Sequence, residues 1–563
     1  MRYELKLTKT DSGAGFFCCT PESLPLKQSV QYLKEHPFDD FMHRHVLSCI
    51  CALDKDKIEK LIVETGLKDK LFRAILYEAC LNDENFYNML LLFEGSEIES
   101  LAESTPLINI RSSLMNDRNE HFKWIKLFKK NMLDHEPVKH VQNIKLPCLF
   151  NESMELEVKD RVHIRDLHKA FNPARCKSAP EFSNQKTAEH ARQKLEKINI
   201  FADVEMRHIA SLSPIALLRK WRLDFNVINK RNRFSFSGIQ TSYGKGLSLD
   251  QARASCLMEI VERYSSFTGF KDEKTTGYIK PHDLIYSTYS SLKKQKIYTL
   301  NPNELRLETD YRNEPLYWIK ADRQTGSGLK PVMIPAQSVF LFCNLDEISL
   351  FSGLDSTGLA SGNSMAGAKL AALLEAIERD AEAVSPFDLN KCFRLKTDDP
   401  EIGPLLADYI SRGIYIQFQD ITPLHGVCCY KCFVVDQNGN IIKGTSANLS
   451  SRKAIISALT ETPYPYPQGP PSMPCPENLP YVDIDNLPDY STHSPESDLE
   501  LLESVLTLNK YFPVYVDLTR EDLNLPVVKA LVPGLEITTD FDRFSRASPR
   551  LFFNYMNAAI KQL

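Results

Sequence analysis

The sequence predicts an α+β protein, with a mainly helical N-terminal region ahead of a larger domain of pseudo-repeated strand–helix units. Three observations carry this expectation. Residues from about 20 to 135 place apolar side chains at helical spacing with short polar breaks. From about residue 186 helical and strand patterns alternate. One helical phrase occurs twice, as GLSLDQARASCLMEIVERYS from Gly246 to Ser265 and as GNSMAGAKLAALLEAIERDA from Gly362 to Ala381.

Taken in chain order, MRYELKLTKTDSG alternates apolar and polar residues and lacks an apolar run, so it reads as a strand rather than a signal peptide. Cys18-Cys19 reads as a half-buried strand pair. Helices are expected over Met42–Leu53, Ile58–Leu67, Leu71–Leu81 and Phe86–Phe93. They follow no strict repeat period and hold no catalytic-looking cluster, which leaves docking or scaffolding as roles. A polar, Pro-containing stretch at Phe171-Asn-Pro-Ala-Arg175 and Lys177-Ser-Ala-Pro-Glu181 marks a boundary. The expected division is a mainly helical domain over 1–150, a linker over 151–188, a larger strand–helix domain over 189–545 and a C-terminal helix or tail over 546–563.

In the second region Lys186–Ile198 reads as a helix, and Phe234–Ile239 and Ser338–Asn344 as strands. Phe433–Ile442 reads as a hairpin turning at Asn438-Gly439. Helix Leu499–Leu508 leads to strand Pro513–Leu518.

Composition narrows the function. A chain of 563 residues implies two or three domains, and 43% hydrophobic with 25% charged residues is ordinary for a folded protein. A net charge of -5 gives no basic footprint, so nucleic acid is not a favoured partner. No stretch approaches the roughly 18 apolar residues of a membrane span. The expectation is a cytoplasmic protein whose 14 Cys are reduced. Cys429-Tyr-Lys-Cys432 is a C-x-x-C, but with Cys428 it lies in a strand pattern, and no second C-x-x-C completes a zinc site. Structural thiols are the expectation.

The repeated phrase carries the chemistry. Aligned without gaps, Gly246 meets Gly362, Ala252 meets Ala368, and Leu257 meets Leu373. Glu259, Glu262 and Arg263 meet Glu375, Glu378 and Arg379. In the first copy Ser255, Glu259, Glu262 and Arg263 share one helix face, opposite an apolar stripe of Leu257, Ile260, Val261 and Tyr264. A solvated helix with i,i+4 ion pairs would look alike in one copy. It would not need the same Glu, Arg and Gly residues twice. A third, shorter echo at Asn448 places Ala454, Ser457, Leu459 and Glu461 in register, then breaks into TPYPYPQGPPSMP. Clustered carboxylates repel unless a cation lies between them, and oxygen donors suit Mg2+ bridging to phosphates. Arginines supply bidentate phosphate contacts. Gly244-Lys245-Gly246 and Gly358–Ser364 read as glycine-containing turns that present backbone N–H groups at helix N-termini. No Walker A motif occurs.

These residues resemble the YcaO superfamily of ATP-dependent peptide-backbone modifiers. The match comprises Ser255-x-x-x-Glu259-x-x-Glu262-Arg263, Ser356–Asn363, Glu375-x-x-Glu378-Arg379-Asp380, Ala458-Leu-Thr-Glu461, Val516-Asp-Leu-Thr519 and Val532-Pro-Gly-Leu-Glu536. It covers roughly residues 190–540 and leaves the N-terminal 150 uncovered. The resemblance implies ATP and Mg2+ as cofactors. Glu259, Glu262, Glu375 and Glu378 would hold the metal. Ser255, Arg263, Asn363, Arg379, Lys245 and Glu461 would contact the nucleotide. It also implies phosphorylation of a peptide amide oxygen during azoline or thioamide formation. Members are often labelled ribosomal-protein methylthiotransferase accessory factors. A peptide or protein substrate follows. A partner protein that delivers substrate or supplies sulfur, and a homodimer, are compatible with it.

Three departures stand out. Gly367 and Ala371 occupy positions where many members carry Glu and Gln. PYPYPQGPP follows Glu461 where a Gln and an Arg are common, and the chain closes on NAAIKQL rather than a Pro-rich tail. The alternative reading is therefore an ATP-binding, weakly catalytic accessory or docking subunit of a modification complex. The missing carboxylate favours it, while four retained glutamates favour the enzyme. A purely structural protein of salt-bridged helices is the third reading.

Overall fold

The computed structural model describes residues 1–9, 15–21, 24–66, 68–151, 161–170, 182–353, 355–537 and 541–561. It is an α+β protein with a helical N-terminal region and three mixed layers beyond it. Strands β1 (Arg2–Lys9) and β2 (Gly15–Pro21) open the chain. Seven helices follow: α1 (Leu26–Glu35), α2 (Asp40–Cys51), α3 (Lys55–Thr65), α4 (Lys70–Asn82), α5 (Gly95–Ala102), α6 (Asn109–Ser113) and α7 (Arg118–Met132). Phe86–Phe93, read as α-helical, forms instead a 3-10 helix, Glu84–Leu92. Helices α8 (Ile164–Ala170) and α9 (Asn184–Lys197) lead into the larger domain. The stretch 171–181, where the sequence sets a boundary, lies outside the described residues, as do 152–160 of the expected linker.

Strand β3 (Met206–Arg207) precedes a long hairpin, β4 (Ile215–Asn229) and β5 (Asn232–Gly246). Trp221, Leu223, Phe225 and Val227 alternate inward on β4, and Phe234 and Phe236 on β5. That apolar face receives helix α10 (Leu249–Ser266) through Leu257, Ile260 and Val261, the stripe expected from the sequence. Strands β6 (Gly269–Lys271) and β7 (Lys274–Thr276) complete this sheet, of order β2-β1-β5-β4-β6-β7 with β3 on β4. The opening strand thus belongs to this sheet, with Tyr3 of β1 parallel to Phe236 of β5. The N-terminal helices share its core: Ile50, Ile75 and Leu76 cluster with Phe225 and Phe236.

The second sheet follows β8 (Ile285–Ser287), α11 (Tyr289–Lys294), β9 (Leu316–Thr325), β10 (Gly328–Pro335) and β11 (Leu359–Ser361). Helix α12 (Met365–Val384), β12 (Cys392–Lys396), α13 (Ile402–Ser411), β13 (Gln417–Asp420), β14 (Cys428–Val435), β15 (Ile441–Asn448) and α14 (Ser451–Glu461) come next. β16 (Tyr481–Asp483), α15 (Pro495–Leu508), β17 (Val514–Asp517), β18 (Val527–Leu531) and α16 (Pro549–Ile560) close the chain. The second sheet runs β10-β9-β17-β18-β11 with β8 on β9, and the third β15-β14-β13-β12-β16. The hairpin read at Asn438-Gly439 is β14–β15, with Val435 opposite Ile441 and Gly439 at φ +85°.

Ser338–Asn344 is not a strand. Ala336–Ser338 makes a 3-10 turn and the rest is irregular, although Val339 and Phe340 are fully buried. A short apolar run reports burial, which an irregular core segment and a strand share. Cys428, Cys429 and Cys432 are buried in β14 as free thiols. Cys18-Cys19 lies on β2, and its burial falls outside the description. No helix among the described residues is long and apolar enough to cross a membrane.

Candidate functional site

Three helices start alike. Ser248, Ser364 and Ser450 occupy the same register position in the three copies, and each is the N-cap of its helix. Ser248 Oγ accepts from Gln251 N–H at 3.3 Å, and Ser364 Oγ from Gly367 N–H at 3.1 Å. The Ser450 hydroxyl instead donates to Asp489 at 2.9 Å.

Two glycines press strand against helix. A Cβ on Gly244 would lie 2.1 Å from Ala252 O of α10, and one on Gly444 would lie 2.6 Å from Ala458 O of α14. Only glycine permits that approach. It corrects the reading of Gly244-Lys245-Gly246 as a phosphate-cradling turn. These residues end β5, and Gly246 N–H is already given to Ser213 Oγ at 2.9 Å. The serine caps likewise take the Gln251 and Gly367 N–H groups at the starts of α10 and α12.

The three helices line one cavity of about 2620 Å³. Ser255, Glu259, Glu262 and Arg263 reach it from α10, Glu375, Glu378 and Arg379 from α12, and Ser457 and Glu461 from α14. Lys245 lines it from β5 and pairs with Glu461 Oε2 at 2.6 Å. Glu259 Oε2 accepts the Tyr243 N–H at 2.7 Å. Arg263 lies 3.6 Å from Glu259 and 3.7 Å from Glu262. Arg379 lies 3.0 Å from Glu378 and 3.8 Å from Glu375.

Asn363 stands apart from this group. Its side chain donates to Thr187 Oγ1 of α9 at 2.9 Å, and it does not line the cavity. Asp380 also turns away. It is fully buried, takes the Glu536 N–H at 2.7 Å and forms an ion pair with Arg550 of α16. Its role is to fasten α16 to α12.

Electrostatics mark the cluster. Burial pushes Glu262 well above the usual carboxylate range, with Glu375 and Glu259 adding to the push and Arg263 opposing it. Burial likewise raises Glu259 and Glu375 against the same guanidiniums. Glu378 is pushed up to about 8 by burial, with Glu375, Glu382 and Glu461 adding and Arg379 opposing. Carboxylates so placed favour a cation or a proton between them. Among the described residues no three His, Cys, Asp or Glu side chains form a ready-made metal cage. The donors that do line the cavity are carboxylate oxygens, which suit Mg2+, a cation that keeps waters and completes its shell with phosphates.

Two cavity residues escape a reading based on the repeat. Glu382 follows Glu378 by one turn and lies 3.5 Å from Arg379 and 2.7 Å from Lys443 of β15. Its match in the first copy is Ser266, so repetition hides it, whereas the helical face Glu375, Glu378, Glu382 reveals it. Thr445 Oγ1 lies 3.2 Å from Glu378 and 3.3 Å from Glu382, so its one proton is shared between the two carboxyls. Burial and Lys443 pull Glu382 in opposite directions; with Arg379 helping, Lys443 wins and holds the carboxyl at about 2.

Fold and cavity together define a protein of pseudo-repeated strand–helix units closed around a wall of carboxylates and guanidiniums. Residues 243–466 match the family model described as YcaO cyclodehydratase, ATP- and Mg2+-binding. A protein of Methanothermobacter thermautotrophicus, described as uncharacterized, is 31% identical over 344 residues, covering 54% of this chain and 84% of that one. The chain belongs to the YcaO family. ATP and Mg2+ are the cofactors of that family, and the function is of the ATP-dependent YcaO type.

Two solved structures are similar at lower identity. One is a heterocyclase in complex with substrate and cofactor, at 19% identity and TM-score 0.49; the match covers 66% of this chain and 55% of that one. This chain therefore spans about half that heterocyclase's length. The other is YcaO from Methanopyrus kandleri bound with AMPPCP and Mg2+, at 20% identity and TM-score 0.44, covering 63% of this chain and 92% of that one.

Proposed function

We propose that this protein is an ATP-dependent enzyme that activates a backbone amide of a peptide or protein, on the way to an azoline ring or a thioamide. One observation carries the reading: in-register carboxylates and guanidiniums of α10 and α12 face the same cavity. Bound ATP with Mg2+ would supply the phosphate that makes the amide oxygen a leaving group. Glu262, Glu375 and Glu378, with Glu259 beside Tyr243, would hold the metal. Arg263, Arg379 and Lys245 would neutralise the phosphates, and Ser255 and Glu461 would border the nucleotide. The work of these residues is positioning and charge neutralisation.

The cavity, at about 2620 Å³, exceeds the roughly 300–1,000 Å³ of a typical small-molecule pocket, which leaves room for a polypeptide beside the nucleotide. Residues of α2 and α7, such as Phe41, Arg44 and Ile125, also line it, which supports a substrate-facing role for the N-terminal helices. The second reading, a nucleotide-binding docking subunit with weak turnover, is favoured by Gly367. No carboxylate stands there, and a Cβ would meet only Ser364 Oγ at 3.5 Å.

The test is direct. Purified protein is incubated with ATP, Mg2+ and a candidate peptide, and phosphate release and peptide mass are followed. Loss of one water, or exchange of oxygen for sulfur, supports the enzyme and names its branch. Nucleotide binding without turnover supports the docking subunit. Unchanged turnover in Glu259→Ala would refute the site assignment.

A further inference from the structure

The cavity's cations are distributed unevenly. Arg263 serves α10 and Arg379 serves α12. The matching position of the third copy is Pro465, beyond the end of α14, and the one guanidinium of that helix, Arg452, pairs with Asp399 and does not line the cavity. The strand feeding α14 does carry a cation. Lys443 of β15 lines the cavity beside Glu382, one turn along α12 from Glu378, and Thr445 bridges those two carboxylates.

Glu382 has its own cation at this spot, because Arg379 is shared with Glu378 and Glu375. Glu382 already lies 3.5 Å from Arg379, and Lys443 adds a second cation at 2.7 Å. An ammonium has three donors and no acceptor. The partner of Lys443 among the described residues is Glu382, and a quarter of the lysine side chain (25%) stays accessible, with the cavity before it. Lys245 differs, because its ammonium is shared between the Glu461 carboxylate at 2.6 Å and the Glu461 carbonyl at 3.3 Å. Unspent donors on an accessible ammonium suit an anion with several oxygens.

We infer that Lys443 binds the phosphate chain of the nucleotide from the third side of the cavity, the place Arg263 and Arg379 take on the other two. The inference rests on the nucleotide site proposed above and adds a ligand that the repeated phrase does not contain. Glu382 is its positioning residue, aiming the ammonium along α12.

The test is a titration of the full chain with MgATP and with AMP, for wild type, Lys443→Met, Lys443→Arg and Glu382→Gln. Lys443→Met is expected to weaken MgATP by about tenfold or more while moving AMP little, because a hydrogen bond to a charged group is lost at the outer phosphates alone. Lys443→Arg keeps most of the preference for ATP over AMP. Glu382→Gln should lower MgATP affinity less than Lys443→Met does, since the ammonium remains but is no longer aimed by the carboxylate. Equal losses for MgATP and AMP in Lys443→Met would show a merely structural lysine and overturn the inference, as would unchanged MgATP affinity. A wild-type chain without MgATP affinity would sink the nucleotide reading itself, and this role with it.

Discussion

Lys245 and Glu461, 216 residues apart in the chain, meet at 2.6 Å across the cavity wall. The contact ties the end of β5 to the last residue of α14, so the first and third units share one side of the site. Glu461 is about half exposed, at 52%, and an accessible pair of this kind contributes about 1 kcal/mol or less to folding. Lys245→Met is therefore expected to leave the urea midpoint nearly unchanged while lowering MgATP affinity. A large fall in the midpoint would show that the pair is structural.

Asp380 and Arg550 behave in the opposite way. Asp380 is fully buried and Arg550 largely so, and the Asp380 carboxylate also receives the Glu536 N–H. Removing one partner strands a buried charge, at a cost of about 3–5 kcal/mol. Asp380→Asn and Arg550→Met should each lower the urea midpoint strongly. In the double variant the loss should be less than the sum. Additive losses would refute the coupling.

Acid–base behaviour offers a third check. Glu378 titrates ordinarily at 4.5 and is pushed up to about 8 in the fold. Between those values the folded state holds a proton that the unfolded chain has released. Stability of the metal-free protein should therefore fall as pH rises through that interval and level off above it. Cation binding expels the proton, so Mg2+-dependent nucleotide binding should tighten as pH rises toward about 8. Calorimetry in two buffers of different ionisation enthalpy reads the released proton directly. Binding that weakens over this interval would contradict the assignment.

Gly367 provides a gain-of-stability test. It sits at the third position of α12, where Ser364 caps the helix. Glutamate there would complete a serine–glutamate capping box and remove a helical glycine, together stabilising by about 1 kcal/mol. In the first copy Gln251 holds the matching position and accepts the Leu247 N–H at 3.0 Å. Gly367→Glu should raise the melting temperature. If the absent carboxylate also limits catalysis, ATP turnover rises with it.

Much of this site is legible in the chain because repetition is a symmetry that composition cannot imitate. Glu259 and Glu375, and likewise Arg263 and Arg379, reach one cavity as the gapless alignment implies. What repetition misses is what the units do differently. Glu382 matches a serine, and Lys443 comes from a strand outside the aligned phrase. Asn363 follows a family motif yet bonds to Thr187, because α9 packs where the motif alone shows nothing. Asp380 shares the helix of the site glutamates but faces α16, and a partner 170 residues away leaves no local trace. The irregular buried run after Ser338 looks like a strand, since burial selects the same residues in both.

The pairing of β1 with β5 has a consequence for biosynthesis. Tyr3 must wait for Phe236, about 230 residues later, and at about 5–20 residues per second the ribosome takes on the order of ten seconds or more to deliver it. Through that delay the free side of β1 is an open template for another chain. Its Glu4–Lys6 pair, at 3.0 Å, places charge on the waiting strand. Nascent chains arrested before β5 emerges should therefore be the aggregation-prone species, and chains long enough to free Gly246 from the ribosome the first to cover the open side of β1.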